Sequence, residues 1–125
     1  MNRPKWKEEI ERLQGDRCLL CGEVVEPNHR SWDHVTPQAY SGAFNSSHRV
    51  GLVFMAHASC NKRRGHGPLL DHQLKRTASV VLASENREVA RANIARVLDE
   101  HRTYIFNLTR MIALLDNSMI EDAAE

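Results

Sequence analysis

The sequence has 125 residues and a mass of 14.3 kDa, with 42% hydrophobic and 26% charged residues. That is room for one domain with a modest core, and it argues against wholesale disorder. No apolar run approaches the roughly 20 residues of a membrane span. The opening MNRPKWKEEIERLQ has no apolar signal core, so a soluble, cytoplasmic protein with no membrane partner is expected. The net charge of +1 is unevenly spread: residues 1–76 carry 12 Lys/Arg against 8 Asp/Glu, and residues 77–125 carry 5 against 8. A basic front and an acidic back suggest a polyanion-binding part followed by a part with another job.

Residues 3–14 read as a short helix. Pro4 suits its first turn, Trp6, Ile10 and Leu13 share one face, and Gly15 suits the position past its end. DRCLLCGE reads as a tight turn. VVEP and SWDHV are short β-prone pieces with a Pro27-Asn28 turn signal between them. PQAYSGAFNSSHR reads as a loop, and LVFMA at 52–56 as a short buried run. A short helix is expected over 59–64, ended by Gly65 and Gly67-Pro68. Leu69 to Leu82 has a helical pattern with Leu70, Leu74, Ala78 and Val81 on one face. Ser84 is placed to cap the next helix. Residues 85–116 contain neither Gly nor Pro. Ile94, Leu98, His101, Ile105, Leu108, Ile112, Leu115 and Met119 recur at spacings of four and three, an a/d seam that favours a homodimer. The acidic EDAAE end is expected to fray.

Three cysteines cannot pair completely as disulfides. Cys18 and Cys21 form C-x2-C, and His57 and Cys60 form H-x2-C, with 35 residues between the two pairs. Zn²⁺ takes four thiolate or imidazole ligands in a tetrahedron, and two ligands separated by two residues reach one ion from a single turn. The four are therefore expected to hold a structural zinc that pins the intervening loop and contributes to folding. A reactive thiol pair is the alternative, but no strand–CxxC–helix pattern of the thioredoxin kind accompanies it.

Inside that loop lies SWDHVTP, and directly after the last cysteine comes CNKRRG. C-x2-C, then D-H-V-x-P, then H-x2-C-N-x2-R-G, over about residues 18–69, resembles the HNH nuclease superfamily in its zinc-knuckle variant. It is especially similar to the phage recombination endonuclease VII branch. The resemblance implies an α+β, ββα-metal fold in which a hairpin and a short helix clasp a divalent ion. It implies His34 as general base, and Asp33 and Asn61 as ligands of a catalytic cation such as Mg²⁺. An imidazole titrates near neutrality and can accept a water proton at working pH. One carboxylate and one amide oxygen leave positions open for phosphate and water. Successive strand residues point to opposite faces, so Asp33 and His34 serve one site only if a bend or side-chain reach brings them together. Asn61 could equally be a helix cap or turn residue.

The family's middle Asn, which braces the base-bearing loop, has no counterpart, because Gly51 and Leu52 occupy that region. Asn45 and His48 are the nearby substitutes. Lys62, Arg63 and Arg64, joined by Arg30 and Arg49, are expected to contact DNA phosphates, since guanidinium groups pair with phosphate oxygens without reading sequence. His66 could assist a phosphate. Residues 1–83 are thus expected to form the nuclease core with its N-terminal helix, and 84–125 a helical, dimerising extension. Two further readings fit the same residues. One is a non-catalytic zinc-stabilised DNA-binding module. The other is a helical dimerisation protein capped by a zinc core.

Overall fold

The computed structural model describes residues 3–35, 49–65 and 67–124. It is a mixed α+β arrangement of one two-stranded antiparallel sheet and four α-helices among these residues. The helices are α1 (Lys5–Leu13), α2 (Ala58–Arg64), α3 (Asp71–Ala83) and α4 (Arg87–Ala124), and the strands are β1 (Arg30–His34) and β2 (Val53–His57). No helix among the described residues is long and apolar enough to cross a membrane. Asn45, His48 and His66 lie outside the described residues.

α1 forms as its pattern requires. Ile10 is fully buried, and Trp6 and Leu13 pack beside it against Val50, Val53, Val80 and Ala90. Gly15 leaves the helix at φ 62°, where a Cβ would be strained. Gln14 then ties α1 to the sheet. Its amide nitrogen donates to the Met55 carbonyl and its oxygen accepts from the Met55 N–H, 2.9 and 3.0 Å.

VVEP does not become a strand. Val24 makes one antiparallel bridge to Arg17, and Pro27–His29 is a 3-10 turn feeding β1. β1 and β2 pair with Arg30 opposite His57 and His34 opposite Val53. β2 is the centre of the core: Phe54, Met55 and Ala56 are at most 1% exposed and pack on Cys18, Leu19, Leu20, Val25 and Leu69. A strand buried on both faces carries a continuous apolar run. The backbone braces the hairpin's other end, with Val35 N–H donating to Leu52 O and the N–H groups of Leu52 and Val53 to Arg49 O.

α3 is rotated from its expected face. Leu70 and Leu74 are 58% and 46% exposed, whereas Thr77 and Val80 are buried. The cause is polar. Arg76 donates to the carbonyls of Leu19 and Leu20, and Gln73 to that of Leu20, so these two side chains are turned inward to satisfy the turn around Cys18 and Cys21. Ser84 is not the residue just before α4, but its hydroxyl accepts the Asn86 N–H, 3.2 Å.

The first turns of α4 lie on the body: Ala90 and Val97 are at most 2% exposed, and Ile94 packs with Leu52 and Val97. The seam expected from Ile94 therefore starts at Leu98. Gly51 makes this approach possible. Its φ is +83°, and a Cβ there would sit 2.7 Å from both Ile94 Cδ1 and Val81 Cγ2. Gly51→Ala is expected to lower stability by about 2 kcal/mol or more, read as a shifted urea midpoint at unchanged slope.

Candidate metal and nucleic-acid site

The turn after α1 carries Cys18 and Cys21, and the junction of β2 and α2 carries His57 and Cys60. The turn closes through Cys18 N–H to Glu23 O and Gly22 N–H to Cys18 O, both 2.8 Å. One ligand atom from each of Cys18, Cys21, His57 and Cys60 lies within 4.8 Å of the others, a Cys3His cluster that could hold zinc. The Nδ1 atom of His57 is 3.4 Å from Cys21 Sγ and 3.8 Å from Cys60 Sγ. Zinc bond lengths in a tetrahedron require about 3.5 Å between such atoms, so the donors are spaced for one ion.

The thiols differ electrically. Burial pushes Cys18 up, but backbone N–H groups of Cys21 and His57 and the His57 ring stabilise its thiolate and bring it down to about 7. Both N–H groups point at its sulfur from 3.4 Å. Cys60 is raised, first by burial and then by the negative charge of Cys18 and Cys21. The Arg63 guanidinium lies 3.7 Å from Cys60 Sγ, where its charge offsets surplus thiolate.

β1 presents two faces. Ser31 and Asp33 look toward α2, where Asn61 and Arg64 stand one turn apart. Asn61 Nδ2 donates to Ser31 Oγ, and Arg64 Nη1 pairs with Asp33 Oδ2 at 3.1 Å. The other Asp33 oxygen accepts the His34 N–H, 2.8 Å. Asp33 and Asn61 are thereby brought to one face. Asn61 is inside α2 rather than at its start, which removes the cap reading; the N-cap position is His57. The Asn61 Oδ1 atom is buried with no hydrogen-bond partner among the described residues.

His34 is the last residue of β1 and half-buried. By alternation it continues the other face, that of Trp32, and its link to Asp33 is through its backbone. Burial lowers its pKa, Asp33 opposes that shift and Arg49 adds to it.

The five basic residues expected on one DNA-contacting surface separate. Lys62 and Arg63 are exposed on α2. Arg64 is turned inward, its side chain 10% exposed, over the Phe54 ring and paired with Asp33. Arg30 is also internal: it pairs with Glu11 and Asp16 and donates to Val25 O, because Glu11 is buried and needs a counter-charge. Arg49 stands apart from α2, stacked over Trp6. Gln14, Gln73 and Arg76 were not among the residues expected to matter. Only the unmet carbonyls of the cysteine turn and β2 could have pointed to them.

No family model matches the chain, and no curated protein matches it. Among solved structures it is similar to part of the crystal structure of the Type II-C Cas9 enzyme from Actinomyces naeslundii, at 22% identity and a TM-score of 0.47. The match covers 77% of this chain and 10% of that one, so the chain spans a small fraction of that protein's length.

Proposed function

We propose that the protein is a metal-dependent HNH endonuclease with a ββα-metal core that hydrolyses DNA phosphodiester bonds. The observation that carries the reading is that Asp33, through Arg64, and Asn61, through Ser31, meet on the α2-facing side of β1 beside the Cys3His cluster, with Asn61 Oδ1 buried and without a hydrogen-bond partner among the described residues. A carboxylate and an amide oxygen suit a hard divalent cation such as Mg²⁺, and three thiols with an imidazole suit structural Zn²⁺. When bound, the hard cation supplies positive charge against the phosphoryl and leaving oxygens. For His34, which burial keeps neutral, to take the proton of the attacking water, its ring must turn round the end of β1 toward the Asp33–Asn61 face. Lys62 and Arg63 hold flanking phosphates. The test is plasmid nicking by wild type and His34→Ala across Mg²⁺, Mn²⁺ and Ni²⁺.

One observation favours a second reading, a non-catalytic zinc-stabilised DNA-binding module. The Arg64 guanidinium pairs with the Asp33 carboxylate that the cation needs. That reading expects salt-sensitive binding and no cleavage with any metal in the same assay.

The remaining part of the proposal is a homodimer through α4. Leu98, Ile105, Leu108, Ile112 and Leu115 form a stripe, each at least 45% exposed, with Met111 beside it. Together they form a continuous exposed apolar stripe along the helix, of the kind that marks an interaction surface. Ile105→Glu with Ile112→Glu is expected to give a monomer by sedimentation, where wild type sediments as a dimer. A wild-type monomer at tens of micromolar would count against the pairing.

A further inference from the structure

The face of β1 turned away from α2 carries a second cluster. Trp6 of α1 and Trp32 of β1 meet edge to face, their centroids 5.3 Å apart at 83°. Lys7 Nζ is 5.6 Å from the centroid of each ring, and the Arg49 guanidinium lies 5.0 Å from that of Trp6. All four residues are half-buried. Trp32 lies two residues before His34, and the Arg49 carbonyl holds the N–H of Val53, the residue opposite His34. The cluster therefore borders the end of β1.

The Lys7 charge is not explained by packing. Lys7 has no carboxylate partner among the described residues. The nearest helix neighbour that could serve, Glu11, is taken by Arg3 and Arg30. A cation over a partly exposed ring contributes only about 0.5–1 kcal/mol. A single apolar residue at position 7 would cover the rings without holding a cation half-buried and unpaired. A polyanion lying across both cations would give Lys7 the counter-charge it lacks. The tryptophan pair is a stiff base that fixes two flexible side chains in advance, which lowers the ordering cost of binding.

We propose that Lys7 and Arg49, seated on the Trp6–Trp32 pair, form a phosphate clamp for the nucleic-acid backbone. It lies on the face of β1 opposite α2, Lys62 and Arg63, and reaches the end of the strand at His34. This rests on the reading above only in that the chain binds nucleic acid; it does not need cleavage.

The experiment uses the full zinc-loaded chain and a fluorescein-labelled DNA duplex, without added Mg²⁺, over a series of KCl concentrations. Trp6 and Trp32 are the two tryptophans of the chain, so intrinsic fluorescence reports directly on the clamp. DNA is expected to change their emission. Lys7→Gln should lower the slope of log affinity against log salt by about one, and Lys7→Gln with Arg49→Gln by about two, with affinity down about tenfold or more. Lys7→Arg should restore most of the binding. Unchanged slope and affinity in folded Lys7→Gln, while wild type binds DNA, overturns the clamp and leaves the nuclease reading standing. No DNA binding by wild type overturns both.

Discussion

Cys60→Ser is expected to abolish zinc binding and to unfold the β-hairpin and the turn before it. Four donors from separate parts of the chain converge within 4.8 Å, and three are thiols that repel one another once ionised. Without an ion, only the small core and the hydrogen bonds of the turn to Met55, Gln73 and Arg76 favour that convergence. A structural zinc site contributes about 10 kcal/mol or more in small domains, whereas the net stability of a domain is about 5–15 kcal/mol. The core beside the cluster is small: Cys18 itself belongs to it, with Leu19, Leu20, Val25, Phe54, Met55, Ala56 and Leu69. Loss of one ligand therefore removes most of the folding free energy. Bound zinc by elemental analysis should fall from one per chain to near zero, and the far-ultraviolet circular dichroism of the sheet should collapse. α4, most of whose length stands clear of the core clusters and is stabilised by its own backbone, should keep part of its signal. Equal zinc content in variant and wild type would take Cys60 out of the set.

His34→Ala is expected to do the opposite, keeping zinc and fold while losing cleavage. His34 is half-buried at the end of β1 and belongs to none of the core clusters. Truncating it should lower thermal stability little. Removing a general base costs about 10²–10⁴-fold in rate, so nicking of supercoiled plasmid should drop to background with every divalent metal. The pH profile carries a second signature. The working form is the neutral imidazole, and burial disfavours the charged form. The acid limb should thus lie below the usual imidazole range, with activity lost only as pH falls through the lowered value. Equal nicking by wild type and His34→Ala in all metals would end the enzymatic reading.

Legibility followed the range of the interaction. The two cysteine-containing pairs could be read directly, because ligands three positions apart in a turn reach one point whatever surrounds them. α1 was legible from Trp6, Ile10 and Leu13, and α2 from its bounding glycines. α3 was legible as a helix but not in its orientation. Its inward face is set by Arg76 and Gln73, which answer carbonyls more than fifty residues away. The basic residues failed in the same way. Nothing in their local sequence separates Arg64 and Arg30, which neutralise Asp33 and Glu11, from Lys62 and Arg63, which stay in solvent.

Local chemistry alone determined which residues are candidate metal donors and where the helices lie, and placed Asp33 and His34 between the two donor pairs with Asn61 directly after the second. Spacing and turn preference act over a few residues and survive in any surroundings. Only the packed structure decided that Asn61 is a buried oxygen on the Asp33 face, that Arg64 covers that carboxylate, and that Trp6 meets Trp32 beneath two cations. Each of these joins residues distant in the chain, and a charge or ring acquires its partner only when folding excludes water between them.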